Sequence, residues 1–304
     1  MDDQGTLQQI QQGLPTRVEA LRARVDRRLA ELAPAPGTAP DRLVEAVRYS
    51  LLAPGKRFRP MLVLLAAEAF GASEGAALDA ACAFEMIHAA SLVLDDLPAM
   101  DDAGLRRGLP TIHRAFDEAT AILAGVGLLN QAYAVIAADK ALPGELRAEI
   151  VARAAEAVGF MGLVAGQARD LLDRDQLRDM AAIDRLNHEK TGVLIIAAAQ
   201  VGALIGGADA AAVEQVGEFA RRVGLAFQIR DDIIDAEGSV EAAGKDVGKD
   251  AAMTTAVSRL GLAGARAAME EHLSAAEAAL ASAGGGGLLG PYAGRLFAAR
   301  KAAA

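Results

Sequence analysis

The residues able to do chemistry in this chain are aspartates gathered in two short strings. Asp95 and Asp96 precede Leu97-Pro98-Ala99-Met100 and then Asp101-Asp102, at the end of a very apolar stretch. Asp231-Asp232-Ile233-Ile234-Asp235 follows Ala226-Phe227-Gln228 in another. On a helix the i, i+4 spacing puts Asp231 and Asp235 on one face, a turn apart. Pro98 disfavours a regular helix through the first string, so Asp101 is expected from the turn just beyond it. Carboxylates this close repel one another, and apolar neighbours make their charge costly unless cations balance it. Oxygen donors with no cysteine and no metal-spaced histidine pair nearby select Mg²⁺ over zinc. One such string is ordinarily a solvated acidic helix end. Two, each embedded in Leu-, Val-, Ile- and Phe-rich sequence, favour a metal site.

Basic motifs supply the counterpart. Gly55-Lys56-Arg57-Phe58-Arg59-Pro60 sits at a turn that opens a helix, and Arg106-Arg107-Gly108 follows the first acidic string. Lys190-Thr191-Gly192 and Gly244-Lys245-Asp246 come later. Arginine forks and lysine point charges at such turns suit phosphate oxygens. Each alone reads as a solvated surface charge. Beside two Mg²⁺-type strings they describe a pocket for two polyanions, one held through metal and one held directly by cations.

The elements that must position these groups are helical. Leu43, Val44, Val47 and Leu51 recur at helical spacing, as do Met61, Leu62, Leu65 and Ala69. The segment from about Ser73 to Leu94 is apolar over most of its surface and belongs near the centre of the fold. Later helices are expected over Glu145–Asp173, Ala181–Ile205, Ala210–Ala236, Met253–Gly261 and Ala265–Ala283, and no alternating β pattern stands out. The 304 residues read as one all-α domain, a large helical bundle. Residues 1–40 form an N-terminal helix and linker, and 284–304 a tail hinged at Gly284–Gly287.

Composition agrees. The chain is 53% hydrophobic and 4% aromatic with no Trp, which favours helices over an aromatic-rich β-sandwich. A net charge of −9 argues against a nucleic-acid partner. The single cysteine, Cys82, fits a reducing compartment. With a polar N-terminus unlike a signal peptide, a cytoplasmic location is expected. Ala119–Ala138 is uncharged and about as long as a spanning helix, but it is interrupted by Thr120, Gly125, Gly127, Asn130 and Gln131. A helix buried on most faces, without stable membrane insertion, is the expectation.

In this order the motifs make the chain resemble the trans-isoprenyl diphosphate synthase (polyprenyl synthetase) family from about Asp41 to Gly261. The aspartate strings, Gly55–Pro60, and Gly166-Gln167 with Asp170 carry the resemblance. Ile87–Leu92 and Asp101–Gly108 are similar to the branch of bacterial carotenoid-pathway geranylgeranyl diphosphate synthases. The resemblance implies a homodimeric enzyme whose helical bundle surrounds a central apolar cavity, with about three Mg²⁺ ions. Asp95 and Asp101, with Asp96 in support, would hold two of them on the allylic diphosphate. Asp231 and Asp235 would hold the third, and Asp232 is counted among the catalytic aspartates. Lys56, Arg59, His88 and Arg107 would bind isopentenyl diphosphate without metal. Arg106, Lys190 and Lys245 would bind the allylic diphosphate, with Lys190 catalytic as well and Thr191 and Gln228 near the reacting carbons. Met253 stands where the family has a lysine. Product length is expected to depend on Ala90 and Ser91, whose small side chains leave depth for C20 rather than C15. A terpene cyclase would need no second diphosphate site, and a non-catalytic synthase subunit would not need both aspartate strings.

Overall fold

The computed structural model describes residues 3–73, 75–173, 188–242 and 255–298. The elements are α1 (Asp3–Leu32), α2 (Asp41–Leu51), α3 (Phe58–Ala69), α4 (Leu78–Asp95), a minimal hairpin β1 (Leu105–Arg106) and β2 (Leu109–Pro110), α5 (Ile112–Ala115), α6 (Glu118–Ala138), α7 (Gly144–Val158) and α8 (Leu163–Asp173). A π-helical turn (His188–Gly192) then leads into α9 (Val193–Ile205), α10 (Ala210–Ala242), α11 (Ala256–Ser282) and α12 (Leu289–Ala298). The fold is all-α apart from that hairpin.

The helix expected at the centre is there. On α4, Phe84, Met86 and Ile87 are fully buried, each contributing about 1.5–3 kcal/mol by its removal from water. Helix α4 packs between α3 and α6, α9 packs between α3 and α10, and α10 lies along α11. This layering sets the end of α4, which carries the first aspartate string, beside the helices that carry the rest of the chemistry.

Three expectations change. The helix expected over Glu145–Asp173 is two helices, broken between Val158 and Leu163. At that break the chain doubles back so tightly that a Cβ on Gly162 would lie 2.1 Å from the Ala157 carbonyl oxygen. The hairpin shows no alternation in the sequence because it is only two residues a side. Its turn is legible in hindsight: Arg107 and Gly108 have φ 53° and 80°, and two successive positive φ values suit a tight two-residue hairpin turn. The two helices expected to part at Gly261 do so: α11 is interrupted there by a non-helical residue (φ 68°, ψ 168°), and residues 251–254 lie outside the described set. Helix α6 buries one face only. Its other face leaves Ile122, Leu123 and Val126 exposed at 46%, 57% and 49%.

Candidate active site

Asp95 closes α4, and the loop that follows folds back on it. The Asp101 amide donates to the Asp95 carbonyl at 3.0 Å, that of Asp102 to Leu97 at 3.1 Å, and that of Ala103 to Asp96 at 3.2 Å. The loop is clamped from α5: Thr111 Oγ1 donates to the Ala103 carbonyl at 2.7 Å, and Arg114 Nη2 to Asp102 Oδ1 at 2.9 Å. Burial pushes the Asp95 carboxyl up to about 6, with Asp101 and Asp96 adding to the rise while Lys190 and Arg106 oppose it. This is a partly buried carboxylate short of positive charge.

Asp96 is placed differently from the expectation that it supports a metal. It is 4% exposed, and the Arg106 guanidinium is forked onto it, with Nε to Oδ1 at 3.0 Å. Arg106, expected to meet a diphosphate, is paired here with Asp96 instead. Across from them, Lys190 Nζ donates to Asp170 Oδ2 of α8 at 2.7 Å. Lys190 is also close enough to lower the Asp95 pKa, so α8 and the π-helical turn face the first string. The Thr191 side chain lies outside the described residues.

The second string sits on α10. Asp231 takes a hydrogen bond from Arg230 at 2.9 Å and is half exposed. The Arg230 guanidinium lies 4.1 Å from the centre of the Phe227 ring, a cation–π contact. Asp232 does not join a metal face: its Oδ2 accepts from the Ala256 amide at 2.8 Å and so holds the first turn of α11. The side chain of Asp235, and all of Lys245 and Met253, lie outside the described residues. Among the described residues no three carboxylate, histidine or cysteine side chains converge as a protein-only metal cage. The carboxylate donors Asp95, Asp101 and Asp231 fit Mg²⁺, which commonly takes one or two carboxylates and completes its shell with water and substrate phosphate oxygens. The all-oxygen donor set and the raised Asp95 pKa point the same way.

The basic groups converge. A cavity of about 590 Å³ is lined by Lys56, Arg59, His88, Arg107, Phe227 and Gln228. Burial and the arginine Arg107 lower the Arg59 pKa to about 10 against the pull of Glu85, and its enclosed Nε has no hydrogen-bond partner. A buried guanidinium N–H left unpaired is costly, and an anion in the cavity would satisfy it. His88 is held neutral at physiological pH, first by burial and then by Arg59 and Arg107. Arg107 reaches back from the hairpin turn, its Nη1 donating to the Pro54 carbonyl at 3.2 Å, and its guanidinium fills the space where Gly55 has no side chain.

All four residues expected to bind a diphosphate without metal thus share one cavity, and Gln228 joins them. Ser91 lies one turn before Asp95 on its face of α4, its hydroxyl bonded to the His88 carbonyl at 2.9 Å. Ala90 does not share that face. It is 2% exposed and sits about 140° round the helix from Asp95, packed in the core. Sequence reasoning missed Arg22 and Glu85, which also line the cavity. Glu85 had a legible signal, since it precedes His88 by one helical turn. Arg22 had none, because its place depends on how α1 docks.

Several known proteins are similar to this chain. Residues 40–278 match the sequence model of the family described as polyprenyl synthetase. The chain is 44% identical to a farnesyl diphosphate synthase of Geobacillus stearothermophilus, over 86% of this chain and 89% of that one. It is 43% identical to a geranylgeranyl diphosphate synthase of Pantoea ananas, over 87% of each. Among solved structures, an FPP/GFPP synthase from Zymomonas mobilis matches with a TM-score of 0.82 at 37% identity, covering 93% of this chain and 97% of that one.

Proposed function

The chain belongs to the polyprenyl synthetase family and is a short-chain prenyltransferase, and on that footing we propose that it joins isopentenyl diphosphate to an allylic diphosphate and stops chiefly at the C20 geranylgeranyl product. The observation that carries this reading is the convergence of Lys56, Arg59, His88 and Arg107 on one cavity, with a buried arginine N–H left unpaired. Two separate anion sites, one beside carboxylates and one built of cations, suit a reaction between two diphosphates.

Asp95, Asp101 and Asp231 are the described carboxylates that would hold Mg²⁺, with Asp235 on the same face of α10. When bound, Mg²⁺ supplies the positive charge that makes the allylic diphosphate a competent leaving group. Lys190, placed near Asp95, contacts that diphosphate and favours negative charge building on it. Lys56, Arg59 and Arg107 hold isopentenyl diphosphate so that its double bond faces the allylic carbon. The C–O bond of the allylic diphosphate breaks, a new C–C bond forms at the resulting cation, and the proton lost to restore a double bond passes to the released diphosphate. His88 is neutral and serves as a hydrogen-bond partner rather than a charge. Leu92, about 60° round α4 from Asp95, supplies apolar surface that keeps water from the cation.

Ser91 on the Asp95 face leaves the depth that a C20 product needs. The farnesyl diphosphate synthase relative keeps C15 as the second reading. The exposed Ile122, Leu123 and Val126 of α6 support a homodimer in which a second copy covers that face. Purified protein incubated with Mg²⁺, labelled isopentenyl diphosphate and each allylic primer in turn tests the proposal. Chain-elongated C20 product supports it, and turnover of an allylic diphosphate alone to a hydrocarbon refutes it.

A further inference from the structure

The cationic cavity holds one buried carboxylate. Glu85 of α4 is 2% exposed and accepts from Arg57 Nη1 at 2.8 Å. The same guanidinium donates through Nε to Asp26 Oδ1 of α1 at 2.7 Å and through Nη2 to the Ala53 carbonyl at 2.9 Å. Arg57 is therefore gripped at all three nitrogens by protein groups, whereas Arg59, two residues on, keeps an enclosed Nε without a partner.

The backbone shows what the grip is for. Arg57 has φ 49° and ψ 39°, a left-handed conformation sparsely populated by non-glycine residues, and it is the residue from which α3 begins. Such a conformation persists only where the surroundings over-determine it. The turn lies between Lys56 and Arg59, so its hand decides where both cations point. Asp26 and Glu85 come from different helices and hold opposite edges of one rigid planar group, which fixes its orientation as well as its position.

We propose that Glu85 and Asp26 are positioning residues for the metal-free diphosphate pocket: by gripping Arg57 from α4 and α1 they hold the left-handed turn that aims Lys56 and Arg59 into the cavity beside His88. This rests on assigning that cavity to isopentenyl diphosphate. It also gives work to α1, which precedes the family-matched span of residues 40–278. A rival effect has the opposite sign. Removing the Glu85 charge makes the cavity more positive and by itself would tighten anion binding, so the sign of the change tells the two apart.

The test measures isopentenyl diphosphate binding to the full-length protein by calorimetry without Mg²⁺, together with KM for each substrate. Glu85→Gln and Asp26→Asn are expected to weaken isopentenyl diphosphate binding, the former by roughly tenfold or more, while KM for the allylic diphosphate moves less than about twofold. The paired change Glu85→Leu with Arg57→Met replaces a buried ion pair by apolar side chains of similar size, a swap that commonly preserves stability. It should melt like wild type yet bind isopentenyl diphosphate as weakly as Glu85→Gln. Wild-type affinity in that folded double variant, tighter binding in Glu85→Gln, or equal weakening toward both substrates would each overturn the proposal. Wild-type protein that binds isopentenyl diphosphate only with Mg²⁺ would instead refute the pocket assignment, and the proposal with it.

Discussion

Replacing Gly55 by alanine should weaken isopentenyl diphosphate binding without disturbing the fold. A Cβ built on Gly55 lies 2.5 Å from Arg107 Nη1, 3.0 Å from its Cζ and 3.3 Å from Nη2. Contacts that short cannot stand, so something must move. The backbone at Gly55 does not have a positive φ, and alanine fits there without conformational strain. What gives way is the tip of an exposed, flexible arginine, so the melting temperature should scarcely change; surface substitutions are usually worth less than about 0.5 kcal/mol. The displaced guanidinium loses its bond to the Pro54 carbonyl and its aim into the cavity. Its exposed bond to Pro54 adds little to stability, whereas a charge-assisted hydrogen bond from the guanidinium to the bound diphosphate contributes about 1.5–3 kcal/mol. At 1.4 kcal/mol for each factor of ten, KM for isopentenyl diphosphate should rise roughly ten- to hundredfold. Steady-state kinetics at saturating allylic diphosphate reads this directly, with a thermal melt as control. The decisive arm is Gly55→Ala in an Arg107→Ala background. If the glycine acts through Arg107, the second change should add almost nothing there. A full effect of Gly55→Ala on that background, or a KM within twofold of wild type in the single variant, refutes the reasoning.

Other predictions follow from the same geometry. Asp95 is raised from its ordinary 3.8 to about 6, so its stabilising contribution is complete below pH about 4 and is lost as pH rises through about 6. Asp95→Asn should therefore raise the melting temperature at pH 7, lose that advantage below pH about 4, and lose most turnover at every pH. Ser91→Phe should shorten the main product from C20 to C15 by chromatography of the dephosphorylated prenols. Ala90→Phe should instead cost about 1–3 kcal/mol of stability by overpacking a buried position; a stable Ala90→Phe with a shorter product contradicts that placement. Leu123→Asp on the exposed face of α6 should convert a dimer to monomers by light scattering, and an unchanged mass would remove α6 from the interface.

The helical class and the approximate place of most helices are legible in the amino-acid pattern alone. Apolar spacing along α2, α3 and α4 is a local property that burial then rewards. The sequence also shows which residue types are available for chemistry, because Asp231 and Asp235 share a helical face by spacing alone, while Lys56, Arg59, His88 and Arg107 stand out only through the family resemblance. Tertiary structure decided which of those groups are free to act. Asp96 and Arg106 neutralise each other, and Asp232 caps α11, outcomes that depend on contacts between residues 10 and 24 positions apart. Ala90 and Ser91 are neighbours in the chain but face different surroundings, since successive residues on a helix point about 100° apart. Nothing local marks Arg57 as held and Arg59 as waiting. That difference arises because Asp26 of α1 and Glu85 of α4 come together around one guanidinium, and long-range packing alone brings three segments to one point.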